Sequence, residues 1–116
     1  MGVVFFNVPE ARKQLLEHGV VYSLRMKRFE GETTAVRGSM FKHESLARVK
    51  VELCERNPCD KCLRWHVGES GFASVEAWLK TALEHYREHK IKSKSELGLY
   101  KVTVLHYIGG PPLRSN

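Results

Sequence analysis

The chain has 116 residues, of which 42% are hydrophobic and 28% charged, and this composition indicates one globular domain rather than a disordered chain. No apolar run reaches the roughly 18 residues of a membrane span, and the opening GVVFFNV lacks the basic flank and cleavage site of a secretory signal, so we expect a cytoplasmic protein with no membrane partner. The formal net charge of +6 favours an anionic partner, most commonly nucleic acid.

The chain opens with a predicted strand and a predicted helix. Residues 2–8 are rich in β-branched and aromatic side chains, which favours a short strand. Apolar residues then recur with helical spacing over residues 9–18, and Pro9 suits the first turn because its missing N–H costs nothing there. Gly19 readily adopts the left-handed conformation that ends many helices, so the helix should stop at this glycine.

The next predicted strand carries a row of polar side chains. Apolar residues at positions 22, 24 and 26 alternate with Ser23, Arg25 and Lys27, and Arg28 follows. A hydroxyl in line with several cations suits a phosphate group or a polar base. The alternative is a solvated strand face, which is the simpler interpretation of the pattern alone.

The middle of the chain predicts two further strands. Residues 33–37 are β-prone, and Met40 and Phe41 are expected to pack back onto the core. Residues 46–54 alternate between apolar and charged side chains, which predicts a strand with one buried and one wet face. We expect residues 55–68 to be irregular.

A second helix and a long final strand complete the predicted fold. Ser74 suits a helix N-cap, and apolar side chains between Val75 and Tyr86 form a single stripe at helical spacing. Residues 97–108 are apolar on both faces, as in a central strand. We therefore expect a single α+β domain over residues 1–110, with a mixed or barrel-like sheet, and a tail over residues 111–116.

Three cysteines and a histidine lie close together in the spacing C-x4-C-x2-C-x3-H. Zinc prefers four tetrahedral sulfur and nitrogen ligands, so this cluster is a candidate structural zinc site. A disulfide between two of the cysteines, or free thiols, are the alternatives. The candidate metal ligands are Cys54, Cys59, Cys62 and His66.

Four segments taken in order resemble a known family. LLEHGVVYSLR, LARVKVELCE, SGFASVEAWLKTALEHY and LGLYKVTVLHYI are similar to successive motifs of ASCH domains, a group related to the PUA domain. The resemblance covers most of residues 8–108, and the Gly71-Phe72 to Trp78 stretch is its most specific part. It implies a PUA-like fold, in which a small β-barrel of about five to six strands carries two packed helices.

The resemblance also implies a function. The family is associated with RNA binding, and its proposed site is a cleft beside the first helix and the following strand, where Arg25 takes the position of a signature arginine. We therefore expect an RNA- or nucleotide-binding module, in which arginine contacts phosphate or stacks on a base. The residues expected to contact nucleic acid are Ser23, Arg25, Lys27, Arg28, Lys42, Arg48 and Lys50.

The alternative is a small hydrolase acting on RNA or on a modified nucleoside. Some relatives are amidohydrolases of acetylated cytidine that use a lysine, a threonine and a glutamate. In this chain the lysine position falls on Val20, Ser23 would replace the threonine hydroxyl, and Glu52 would stand in for the carboxylate. A ribonuclease would instead need an acid–base pair, for which His18 and His43 are suitable by residue type. A protein-interaction domain is a third possibility.

Overall fold

A curled five-stranded sheet forms the centre of the chain in a computed structural model that describes residues 3–26, 30–91 and 96–108. The strands are β1 (Val3–Phe5), β2 (Val20–Arg25), β3 (Gly31–Gly38), β4 (His43–Arg56) and β5 (Gly98–Tyr107). Their order across the sheet is β1-β3-β4-β5-β2. β1 pairs with β3 in parallel, and the other neighbours are antiparallel. The sheet is therefore a half-barrel whose two edges are β1 and β2.

Three helices pack against this sheet. They are α1 (Pro9–His18), α2 (Asp60–His66) and α3 (Val75–His85), with short 3₁₀ turns at Val67–Glu69 and Arg87–His89. Within the described part of the chain, none of the helices has the length and apolarity required to cross a membrane. The predicted α+β class is confirmed, with three helices where the sequence predicted two.

Each face of the sheet has its own apolar cluster, and the outer cluster covers only the β2 side of the sheet, where the start of β5 joins it. The inner face packs on α1 and takes side chains from all five strands. The outer face packs on α2 and α3. The buried inner cluster is Val4, Phe6, Ala11, Leu15, Val21, Ala35, Ala47, Val49, Val51, Tyr100 and Val102. The buried outer cluster is Leu24, Leu63, Trp78, Ala82, Leu97 and Leu99.

Several sequence predictions are confirmed in detail. α1 begins at Pro9 and ends at His18, where Gly19, with a left-handed φ of 77°, forms the C-cap. The Ser74 side chain caps α3 by accepting a hydrogen bond from the Ala77 N–H. The final strand is central in the sheet, between β4 and β2. The local signals of helix ends and alternation thus predicted most of the elements.

Two predictions about the middle of the chain are wrong. Met40 and Phe41 do not pack on the core, because they lie at the tip of the β3–β4 hairpin and are 73% and 101% exposed. The hairpin closes where Gly38 pairs with His43, beyond the packed part of the sheet. Residues 55–68 are not irregular, since they contain α2.

Candidate functional site

A cleft opens where the two edges of the half-barrel face α3. Side chains from the end of β1, from β2 and from α3 all border it, so the sheet curls far enough to bring its edge strands around one space. Its volume is about 440 Å³, counting the part open to solvent. The lining residues are Phe5, Phe6, Asn7, Val8, Ala11, Ser23, Leu24, Arg25, Phe72, Trp78, Thr81, Ala82, His85 and Tyr86.

Ser23 and Arg25 form a hydrogen-bonded polar pair in this cleft. Each residue is only 7% exposed, and the Arg25 Nε donates a hydrogen bond of 2.9 Å to the Ser23 Oγ. The guanidinium carbon of Arg25 lies 4.4 Å from the centroid of the Phe6 ring. A guanidinium stays protonated in proteins, so a fixed positive charge borders the cleft, in contact with a hydroxyl and an aromatic face.

The solvated interpretation of this strand face is wrong. Val21, Ser23 and Arg25 all point to the inner face and are buried, because the sheet curls over them and α1 covers part of that face. The opposite face, with Tyr22 and Leu24, packs on the outer cluster. Both faces of β2 are therefore covered, and alternation alone could not distinguish them. The predicted contacts Lys27 and Arg28 lie outside the described residues.

Two hydrogen bonds to the backbone of Phe6 hold its ring against the guanidinium. The Phe6 N–H donates to the Val36 carbonyl at 2.8 Å, and the Arg12 Nη1 donates to the Phe6 carbonyl at 3.1 Å. The neighbouring Asn7 uses both ends of its amide to hold the Gly38 backbone, at 2.8 and 2.9 Å. The lead-in from β1 to α1 is therefore tied to the end of β3, and it forms a fixed wall of the cleft.

α3 supplies the opposite wall, which the sequence pattern did not predict. Trp78 belongs to the apolar stripe, and Thr81 and His85 follow it at i+3 and i+7, so all three face the same side. The signal in the sequence that could have predicted this wall was the presence of polar residues beside the apolar stripe of α3. His85 lines the cleft, whereas His18 and His43, the histidines suggested for acid–base chemistry, do not.

Glu52 lies on the other side of the sheet from Ser23. On β5, Lys101 is the cross-strand partner of both Glu52 and Tyr22, and cross-strand partners share a face. Glu52 therefore shares the outer face with Tyr22, where its carboxylate lies 3.8 Å from the Lys50 Nζ. The structure does not bring the proposed carboxylate to the proposed serine.

The remaining predicted cations also lie away from the cleft. Lys42 is exposed at the hairpin between β3 and β4. Arg48 is exposed on β4, where its Nη1 donates to the Thr34 Oγ1 at 2.9 Å. Lys50 is engaged with Glu52 as described above. Of the cations predicted to contact nucleic acid that the structure describes, Arg25 borders the cleft and these three do not.

The predicted zinc ligands are divided among separate environments. The Sγ atoms of Cys59 and Cys62 lie 3.1 Å apart at the start of α2. The His66 ring instead stacks on Tyr22, with centroids 4.1 Å apart, and Cys54 lies on β4. Within the described residues, no group of three or more His, Cys, Asp or Glu side chains is arranged to hold a metal ion. All three cysteines are free thiols.

The two thiols at α2 differ in acidity from each other and from Cys54. The hydrogen bond from the Cys62 thiol lowers the pKa of Cys59, and the same contact raises the pKa of Cys62. The Cys62 N–H also donates to the Cys59 Sγ, at 3.4 Å. Partial burial raises the pKa of Cys54. Cys59 is therefore the thiol most readily ionised among the three.

Comparison of the chain with protein-family models, with curated proteins and with solved structures finds no match. The chemistry of the cleft is then defined by its own side chains. It offers a fixed cation at Arg25, a hydroxyl at Ser23 that is hydrogen-bonded to this cation, and several aromatic faces. This combination can hold an anion beside a flat apolar group.

Proposed function

We propose that the chain is an RNA- or nucleotide-binding module with a PUA-like barrel of the ASCH type, and that the cleft between β1, β2 and α3 receives one nucleotide. The observation that carries this proposal is Arg25, a buried guanidinium that borders an aromatic cleft and lies on the Phe6 ring. The planar guanidinium fork matches the oxygens of a phosphate, and it also stacks on bases.

The walls of the cleft agree with such a ligand. Phe5, Phe72, Trp78 and Tyr86 contribute aromatic surface, on which a base can stack. Ser23 supplies a hydroxyl that can donate its own hydrogen while accepting from Arg25. The net charge of +6 would draw a polyanion toward this cleft.

A hydrolase is less well supported by the same geometry. A nucleophilic serine needs a base that accepts its proton, and Arg25, its hydrogen-bond partner, can only donate. The carboxylate suggested by the sequence, Glu52, lies on the outer face. Binding is therefore the function that the cleft supports best.

The test is fluorescence anisotropy with a labelled single-stranded RNA, and competition by nucleoside monophosphates, in about 50 and about 200 mM salt. Arg25→Lys keeps the charge and loses the planar fork, so we expect affinity to fall about tenfold or more at both salt concentrations. Arg25→Gln removes the charge, and the salt slope should also fall by about 0.7. Arg48→Lys and Arg48→Gln are matched controls on the outer face, where neither effect is expected.

Unchanged affinity and salt slope in Arg25→Gln, with the fold intact by circular dichroism, would remove the ligand from this cleft. Turnover of acetylated cytidine that disappears in Ser23→Ala would instead establish the hydrolase. Absence of any salt-dependent RNA binding in the wild type would favour a protein-interaction domain.

A further inference from the structure

The cysteine pair at the start of α2 takes no part in the proposed nucleotide cleft. Cys59 is the N-cap of this helix, and Cys62 lies one turn further along. Leu63, the next residue, is fully buried in the outer cluster and anchors the turn to the sheet. The two thiols are thus held together at the surface by a segment that is itself fixed.

We infer that Cys59 and Cys62 form a reversible redox dithiol, which exchanges with small-molecule disulfides of the glutathione class. The separation of 3.1 Å between the two Sγ atoms supports this assignment. A disulfide bond measures about 2.05 Å, so closure requires the sulfurs to approach by only about 1 Å.

The order of reaction follows from exposure. Cys59 is exposed, whereas Cys62 is partly covered. A disulfide arriving from solvent therefore meets Cys59 first, and Cys62 is in position to resolve the mixed disulfide that results. Cys54 is exposed too, but it lies on β4, where its thiol contacts the Glu52 carbonyl at 3.9 Å, outside the Cys59–Cys62 contact, so we assign it no part in the exchange.

The exchange balances in two steps. The Cys59 thiolate attacks one sulfur of RSSR, the S–S bond breaks, and the first RS⁻ leaves and is protonated to RSH. The Cys62 thiolate then attacks the Cys59 sulfur of the mixed disulfide, forms the Cys59–Cys62 bond and expels the second RS⁻. The protein dithiol loses two electrons, RSSR gains them, and the two thiol protons end on two molecules of RSH. Excess RSH reverses both steps.

The experiment treats the full chain with oxidised glutathione in the presence of a metal chelator, then alkylates the remaining thiols and maps them by mass spectrometry. We expect the wild type to lose two of its three thiols, to contain a Cys59–Cys62 disulfide and to retain no glutathione. Cys62→Ser should stop at one glutathione adduct on Cys59, since the resolving thiol is missing. Cys54→Ser retains only Cys59 and Cys62, and it should lose both of these thiols to the same disulfide as the wild type. Reduced glutathione should restore all of the lost thiols.

Two results would overturn the inference. One is a wild type that accumulates the same stable glutathione adduct as Cys62→Ser. The other is a disulfide that includes Cys54. The mapping of the wild type decides the question without any variant, and circular dichroism shows whether each serine variant is folded.

Discussion

Two hydrogen-bonded pairs, Ser23–Arg25 and Cys59–Cys62, are close in sequence but are held in different ways. The first pair is buried, with β5 beside it and the Phe6 ring against the guanidinium. The second lies at the surface, where the first turn of α2 sets its geometry. Tertiary packing therefore fixes the buried pair, and local backbone structure fixes the exposed one. Substitutions in the core should therefore affect the Ser23–Arg25 pair, and solution conditions should affect the Cys59–Cys62 pair.

The largest expected difference lies between the two tryptophans, one near each pair. Trp78 on α3 is 3% exposed and borders the cleft, whereas Trp65 on α2 is 80% exposed. Trp78→Ala should lower the free energy of unfolding by about 3–5 kcal/mol, because it leaves a cavity in the outer cluster. Trp65→Ala should change it by less than about 0.5 kcal/mol. Urea denaturation measures both, and similar losses would mean that α2 is packed as tightly as α3.

Two glycines in the segment between α2 and α3 give the next largest difference. Gly71 has a φ of 91°, and a methyl group there would overlap the Glu10 carbonyl oxygen at the start of α1. Gly71→Ala should therefore cost about 2 kcal/mol or more, from backbone strain and steric overlap together. Gly68 has open space around its Cα, so Gly68→Ala is the matched control and should be close to neutral. Equal midpoints of urea unfolding for the two variants would contradict the close approach of Gly71 to the start of α1.

Removing one partner of each pair compares them directly. Ser23→Ala takes away the acceptor of the buried Arg25 Nε, and we expect a loss of about 1–3 kcal/mol in the free energy of unfolding. Cys59→Ala removes an exposed capping sulfur, and water can replace its contact with the Cys62 N–H, so the loss should be much smaller. A loss in Cys59→Ala that equals the loss in Ser23→Ala would show that the two pairs contribute alike.

The smallest expected effect is a difference in the pH of alkylation. The thiolate is the reactive form, the pKa of Cys59 is lowered by the Cys62 thiol, and the pKa of Cys54 is raised by partial burial. As the pH rises, iodoacetamide should therefore modify Cys59 before Cys54. Peptide mapping after brief labelling at each pH measures this order. Earlier modification of Cys54 would mean that the Cys59–Cys62 contact does not persist in solution.

The sequence predicted the elements whose signals are local. The helix that is C-capped by Gly19, the cap at Ser74 and the alternation in β4 depend on neighbouring residues, and the structure contains all three. It also placed Ser23 and Arg25 on one strand face. Whether that face is wet depends on how the sheet curls, which involves β1 and β5, and no pattern within β2 reports this curvature.

The incorrect and missed predictions also concern features that local sequence patterns do not report. α2 has seven residues and a single fully buried side chain, Leu63, so it leaves too little periodicity to be recognised. Phe41 is apolar, which suggested burial, but it is exposed because it lies at a hairpin tip. In the cleft, Phe6 and His85 come from segments far apart in the chain, and their approach to Arg25 is a property of the tertiary fold.

The pairing of β2 with β5 also sets an order for biosynthesis. Residues 20–25 form their sheet contacts with residues 98–103, so β2 leaves the ribosome well before its only neighbour in the described sheet exists. Contacts so distant in sequence close late, because the intervening chain must first lose its conformational entropy. A nascent chain stalled before residue 98 can form the β3–β4 hairpin, but it leaves β2 unpaired. Arg25 therefore acquires its packed environment only after residues 98–103 have been synthesised.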